Sequence, residues 1–233
     1  MIQQSMRAGL VVMILLILPL TAAAVPKEIE VTCPLDGTKF MSPVNVTGGR
    51  MGLQLDLRPI GFMDIPPRLP VCPSNHFVVY KRDFTQTEKE RLQKFVLTPE
   101  YQDQAKDNPS YFLLARILEF MGQTDYVVAN AYLQASWQVD DRPEKQKQYL
   151  DLTLQHFKKF LSTNNKEGDR EWVTAQMLAG EMERRLGRFD DAKARFLDLS
   201  KKSGFQEGPN AKIVTYQLDL IGKKDSKPHD VPF

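Results

Sequence analysis

Residues 178–196 read Leu178-Ala179-Gly180-Glu181-Met182-Glu183-Arg184-Arg185-Leu186-Gly187-Arg188-Phe189-Asp190-Asp191-Ala192-Lys193-Ala194-Arg195-Phe196. This is two helices joined by a minimal turn. Gly187 stands where the first helix must end in a left-handed residue, and the adjacent acids Asp190 and Asp191 suit a helix N-terminus. The small pair Ala179-Gly180 permits close helix approach, and Phe189, Ala192 and Phe196 lie on the face that would meet it. Working outward, the apolar period of about 3.6 predicts helices over residues 170–186, 189–202 and 210–221. Upstream, Asn108-Pro109 opens a helix through Tyr111, Leu114, Ala115, Leu118 and Met121 that Gly122 stops. A second spans about residues 125–139, and Arg142-Pro143 opens a third carrying Tyr149, Leu152, Phe157, Phe160 and Leu161. The connections are short, so consecutive helices are predicted to pack as antiparallel neighbours.

The 178–196 unit resembles a tetratricopeptide repeat, with Phe189, Ala192 and Phe196 at the family's aromatic, small and aromatic packing positions. The first helix departs from the pattern, carrying Gln176 and Glu183 where Trp and Tyr stand in the family. Gly122, preceded by Leu114, Ala115 and Leu118, marks a weaker copy about two repeat lengths of ~34 residues earlier. The resemblance implies a short array of helical hairpins rather than one bundle. Polar side chains on a concave face of such an array, Glu181, Arg184 and Arg185 among them, are candidates for partner binding, against an ion-paired outer surface as the plainer reading.

The 233 residues, 42% hydrophobic and 26% charged, have the balance of a globular protein. A net charge of +2 gives no basic excess to draw nucleic acid. At the start, Arg7 precedes an apolar run from Ala8 to Leu20 and the small residues Ala22, Ala23 and Ala24, the pattern of a signal peptide cleaved before Val25. Residues 1–24 are therefore expected to be removed on export. No other segment is long enough to span a bilayer.

Residues 25–84 have a different texture, rich in Pro, Gly, Val and Thr. Alternation in Glu28–Thr32, Val44–Thr47, Leu53–Leu57 and His76–Tyr80 predicts short strands, with Gly48-Gly49 as a hairpin turn. The capping box Thr85-Gln86-Thr87-Glu88 announces the change to helix. The fold class is thus α+β, mainly α: a small β-rich module over 25–84, a helical domain over 85–222, and a flexible tail over 223–233. A unit of about 60 residues needs external support from a crosslink, a metal or its neighbour.

The two cysteines bear on that need. Cys33-Pro34-Leu35-Asp36-Gly37 and Cys72-Pro73-Ser74-Asn75-His76 each have the outline of a zinc knuckle, C-P-x-C-G, with the second cysteine replaced by Asp36 or Asn75. One reading is a Cys33–Cys72 disulfide formed in an oxidising compartment, closing a loop of about 40 residues for roughly 3–4 kcal/mol. The alternative is zinc held by Cys33, Asp36, Cys72 and His76.

The arrangement as a whole resembles the bacterial domain-of-unknown-function family 2225. The resemblance runs through Cys33-Pro34, Phe40, Val71-Cys72-Pro73, Asn108-Pro109, Ala131-Tyr132-Leu133-Gln134-Ala135-Ser136-Trp137 and Gly180-Glu181-Met182-Glu183-Arg184-Arg185-Leu186-Gly187. It implies a zinc-ribbon-like start followed by a tetratricopeptide-like helical region, and it carries no activity over.

Catalytic constellations are not evident. His156 lies beside Phe157, His229 in the polar tail, and no H-E-x-x-H, G-x-S-x-G or phosphate-binding glycine loop occurs. Trp137 and Trp172 read as packing residues. The sequence therefore predicts a bacterial periplasmic or secreted protein that is not an enzyme and needs no cofactor, and that binds a protein or peptide of the cell envelope through its helical array; zinc binding by the knuckle module is the alternative.

Overall fold

The computed structural model describes residues 27–45, 48–164 and 166–232; residues 1–24, expected from the sequence to be a signal peptide, lie outside them. Four short strands come first: β1 (Glu28–Thr32), β2 (Lys39–Pro43), β3 (Arg50–Leu53) and β4 (Pro59–Gly61). Eight helices follow: α1 (Gln86–Val96), α2 (Pro99–Ala105), α3 (Ser110–Phe120), α4 (Asp125–Trp137), α5 (Pro143–Thr163), α6 (Arg170–Arg185), α7 (Phe189–Leu199) and α8 (Gly208–Gly222). The class is α+β, mainly α.

The strands form two separate antiparallel hairpins, β1–β2 and β3–β4. In the first, Val31 pairs with Phe40 and Thr32 with Lys39, and Phe40 packs against the core. The second strand falls at 39–43; of the strand expected at 44–47, Val44 and Asn45 are not in a strand, and Val46 and Thr47 lie outside the described residues. The predicted strand at 53–57 ends at Leu53, because Asp56 takes the Arg58 amide on its side chain and turns the chain back into β4. His76–Tyr80 contributes only a bridge between Val78 and Val71.

The capping box forms in full: the Glu88 amide donates to Thr85 Oγ1 at 3.2 Å and the Thr85 amide to Glu88 Oε2 at 2.8 Å. From α3 to α8 each helix packs on its chain neighbours. Two turns repeat the same local solution. Gly122 (φ +71°) and Gly187 (φ +75°) follow α3 and α6, and in each case the next amide reaches back over the turn, Gln123 to the Leu118 carbonyl and Arg188 to the Glu183 carbonyl. Gly180 is buried in α6 at its crossing with α7, where an added Cβ would meet the Phe196 ring at 2.5 Å. The Ala179-Gly180 pair thus does what its size permits.

The β module shares its core with the helices. Cys33, Cys72, Phe77 and Val78 form one apolar cluster with Leu92, Val96 and Tyr101 and with residues of α3–α5. Neighbouring helices therefore supply the burial that a unit of this size lacks on its own.

The tail makes backbone contacts with the β module. Asp230 bridges Gln54 in antiparallel sense, the Leu55 amide donates to the His229 carbonyl at 2.8 Å, and the Val231 amide to the Leu53 carbonyl at 2.8 Å. The tail adds to the open edge of β3, satisfying backbone groups that a two-stranded sheet leaves exposed.

Candidate functional site

Both knuckles close with the same hydrogen bonds. The Cys33 amide donates to the Thr38 carbonyl and the Gly37 amide to the Cys33 carbonyl; the Cys72 amide donates to the Phe77 carbonyl and the His76 amide to the Cys72 carbonyl. Gly37 (φ +78°) and His76 (φ +59°) occupy matching left-handed positions. This symmetry brings Cys33, Asp36, Cys72 and Asn75 together. The two sulfurs lie at disulfide distance, 2.18 Å, with Cα atoms 5.6 Å apart. Asn75 Nδ2 donates to Asp36 Oδ2 at 2.9 Å, and the Ser74 hydroxyl donates to the same carboxylate oxygen. The Ser74 hydrogen bond, joined by those from Thr38 and Asn75, holds the Asp36 carboxyl below its ordinary range against the opposing effect of burial.

This arrangement does not fit the zinc set of Cys33, Asp36, Cys72 and His76. The sulfurs bond each other, Asp36 turns to Ser74 and Asn75, and His76 Nδ1 faces Gln102 Oε1 at 3.0 Å on α2. Among the described residues, no group of three or more His, Cys, Asp or Glu is placed to hold a metal. Gln102 and Tyr101 instead clamp the second knuckle to the helices, Gln102 Nε2 donating to the Asn75 carbonyl and the Tyr101 hydroxyl to the His76 carbonyl.

Glu181, Arg184 and Arg185 also sit elsewhere than the sequence suggested. None lines an open face. Arg184 is fully buried and bidentate on Glu181 at 2.8 Å, while Gln217 of α8 donates to Glu181 and accepts from Arg184. Arg184 Nη1 also reaches the Asp225 carbonyl at 2.5 Å, pinning the start of the tail. Burial pushes the Glu181 carboxyl up, opposed by Arg184 and Gln217. Arg185 donates to Asp56 of the β module. These side chains join elements to one another, which four-residue sequence spacing could not show.

What α5, α6 and α7 leave open is a polar groove of about 370 Å³ lined by Lys158, Gln176, Glu183, Asp191, Arg195 and Asp198. Its floor is Glu183, held by Arg195 at 2.8 and 2.9 Å and by Lys158 at 3.0 Å. Burial works against the Glu183 charge, but the two cations outweigh it and keep the carboxyl below its ordinary range. Arg195 also donates to Gln176. Gln176 and Glu183 are the two positions where this chain departs from the tetratricopeptide pattern, so the signal for this floor was present in the sequence as a departure.

A second polar centre was missed. His156 of α5 places Nδ1 2.7 Å from Asp125 Oδ1 and Nε2 3.0 Å from Glu119 Oε1, and the Tyr132 hydroxyl donates to Glu119 at 3.0 Å. The Glu119 hydrogen bond, joined by Asp125, raises the His156 pKa over the opposing effect of burial. Arg116 and Lys159 complete the ring of charge. The cluster ties α3, α4 and α5 together. It holds no Ser, Cys or Lys nucleophile poised on His156, and reads as an ion-pair staple.

Fold and site together define a mainly helical α+β protein whose disulfide-distance knuckle pair is fused to serially packed helices. A family model described as "Uncharacterized protein conserved in bacteria (DUF2225)" matches residues 27–219, and the chain belongs to this family. No curated protein and no solved structure matches it. Among the described residues, no helix is long and apolar enough to cross a membrane.

Proposed function

We propose that this is an exported bacterial protein, periplasmic or secreted, that acts as a protein-interaction module, binding a protein or peptide of the cell envelope through its tetratricopeptide-like helical array. The observation that carries the reading is the groove between α5, α6 and α7. Its floor is prepaired: Glu183 is neutralised by Lys158 and Arg195, so an incoming chain meets oriented donors and acceptors without having to neutralise a lone buried charge. Asp191 and Asp198 stand at the rim, and Gln176 offers an amide to a peptide backbone. The cysteine pair at disulfide distance supports an oxidising compartment, as does the sequence before Val25.

The test is an array of immobilised peptides of varied charge, probed with the full mature chain and with Lys158→Glu and Gln176→Ala variants. Saturable binding to a subset of peptides that both variants weaken by tenfold or more is the expected outcome. Binding that both variants leave intact, or no binding, overturns the groove as the recognition surface. Intact mass of the protein recovered from the envelope fraction, starting at Val25 and two hydrogens light, checks the compartment.

A further inference from the structure

On the other side of α6 from the groove, a partly open pocket of about 140 Å³ is lined by Leu55, Leu57, Met177, Ile213 and Val231, with Thr174 and Asn210 as its polar residues. At about 100° per residue, Thr174 faces nearly opposite to Gln176 and Glu183, and Met177 lies about 100–120° round the helix from them, so the two sites use different faces of α6. We infer that this cavity is a binding site for a small neutral amphiphile: an apolar body of about six carbons bearing one hydroxyl-like head group.

Size sets the body. A closed apolar cavity of about 150 Å³ accommodates a benzene-sized molecule, and this pocket, open on one side, offers nearly that volume. Chemistry sets the charge. No lining side chain is ionisable, so a carboxylate or ammonium would lose its hydration without a partner. The head group follows from the two polar residues. Asn210 spends an amide N–H on the Gly204 carbonyl, leaving its Oδ1 to accept, and the Thr174 hydroxyl can donate or accept. A hydroxyl on the ligand satisfies both.

Two features of the walls fit a site that opens. Leu57 has φ +66° and is 42% exposed, in the turn closed by the Leu57 amide on the Gln54 carbonyl and the Gln54 amide on the Arg58 carbonyl. Glycine ordinarily fills a left-handed position of this kind, and here a large apolar side chain is held there at the cavity wall. Val231 belongs to the tail, which closes its side through the backbone bonds to Leu53 and Leu55.

The experiment titrates the full mature chain with benzyl alcohol, toluene and benzoate, followed by amide chemical shifts and thermal melting, alongside Thr174→Val and Met177→Trp variants whose folding is checked by circular dichroism. Benzyl alcohol is expected to bind saturably, with shifts centred on residues 173–178, 210–213 and 231. Thr174→Val weakens benzyl alcohol roughly three- to tenfold, the worth of one hydrogen bond, and leaves toluene unchanged. Benzoate binds at least tenfold more weakly, and a folded Met177→Trp protein binds none of the probes. Equal binding of benzyl alcohol and benzoate, insensitivity to Thr174→Val, or absence of saturable shifts up to the solubility limit overturns the assignment.

Discussion

Arg185, in the last turn of α6, donates to Asp56 of the β module at 2.9 Å, across a separation of 129 residues. The same Asp56 oxygen accepts from Trp137 Nε1 of α4 at 3.0 Å, and its other oxygen accepts the Arg58 amide at 3.0 Å. One buried carboxylate thus fixes its own turn and binds the module to two helices. Both partners are nearly inaccessible, so removing either strands a charge away from water. Asp56→Ala and Arg185→Ala are each expected to cost about 3–5 kcal/mol. The double variant should lose markedly less than the sum, because the second change removes the charge that the first left unpaired. Urea melts of the three variants measure this; additive losses would mean that the pair is not coupled.

The close crossing of α6 and α7 makes a second demand. Any side chain larger than hydrogen at position 180 enters the Phe196 ring, both of whose neighbours in the contact are fully buried. Gly180→Ala should destabilise by about 1–3 kcal/mol despite the better helix propensity of alanine. Adding Phe196→Leu should restore part of that loss by freeing space. A Gly180→Ala protein as stable as wild type would show that the helices separate at no cost.

Much of this was legible. The helices follow from apolar period, the proline starts and the glycine stops, and the nearness of Cys33 and Cys72 fits their matching knuckle contexts. What was not legible depends on long-range partners. Asp56 reads as one polar step in an alternating strand until Trp137 and Arg185 are brought to it. Glu181 and Arg184 look like an exposed ion pair one helical turn apart, yet α8 and the tail cover them. The tail itself has a disordered composition, and its partners, the open edge of β3 and the Arg184 guanidinium, are far away in sequence.

His156 supplies a pH signature. Its pKa is raised above the ordinary 6.5, so the stability it contributes is fully present below about pH 6.5 and is lost as pH rises through its folded value. Glu119, held below 4.5 chiefly by His156 once its own burial penalty is overcome, sets the acid limit: its contribution is present above about pH 4.5 and lost as pH falls through its folded value. The stability difference between wild type and His156→Gln should therefore be greatest between about pH 4.5 and 6.5 and shrink toward pH 9. Paired denaturation curves across that range test it; a difference independent of pH would reduce His156 to packing.

The knuckles make the last prediction. Four positions suited by spacing to one metal are joined by a bond between Cys33 and Cys72 and by the Asn75–Asp36 hydrogen bond. A chelator should then leave the melting temperature of the oxidised protein unchanged, whereas Cys33→Ala with Cys72→Ala should lose about 3–4 kcal/mol through the freed loop. The helical signal should survive that double substitution, because Phe77, Val78 and Tyr101 still bury the module against α1 and α2. Asp36→Ala separates the two halves of the arrangement. It frees Asn75 and Ser74 but leaves the sulfur bond, so its cost should be about 1 kcal/mol and, unlike that of the cysteine substitutions, should persist when both proteins are compared after reduction. Loss of stability on chelation would reverse the reading, placing the metal rather than the sulfur bond at the centre of the module.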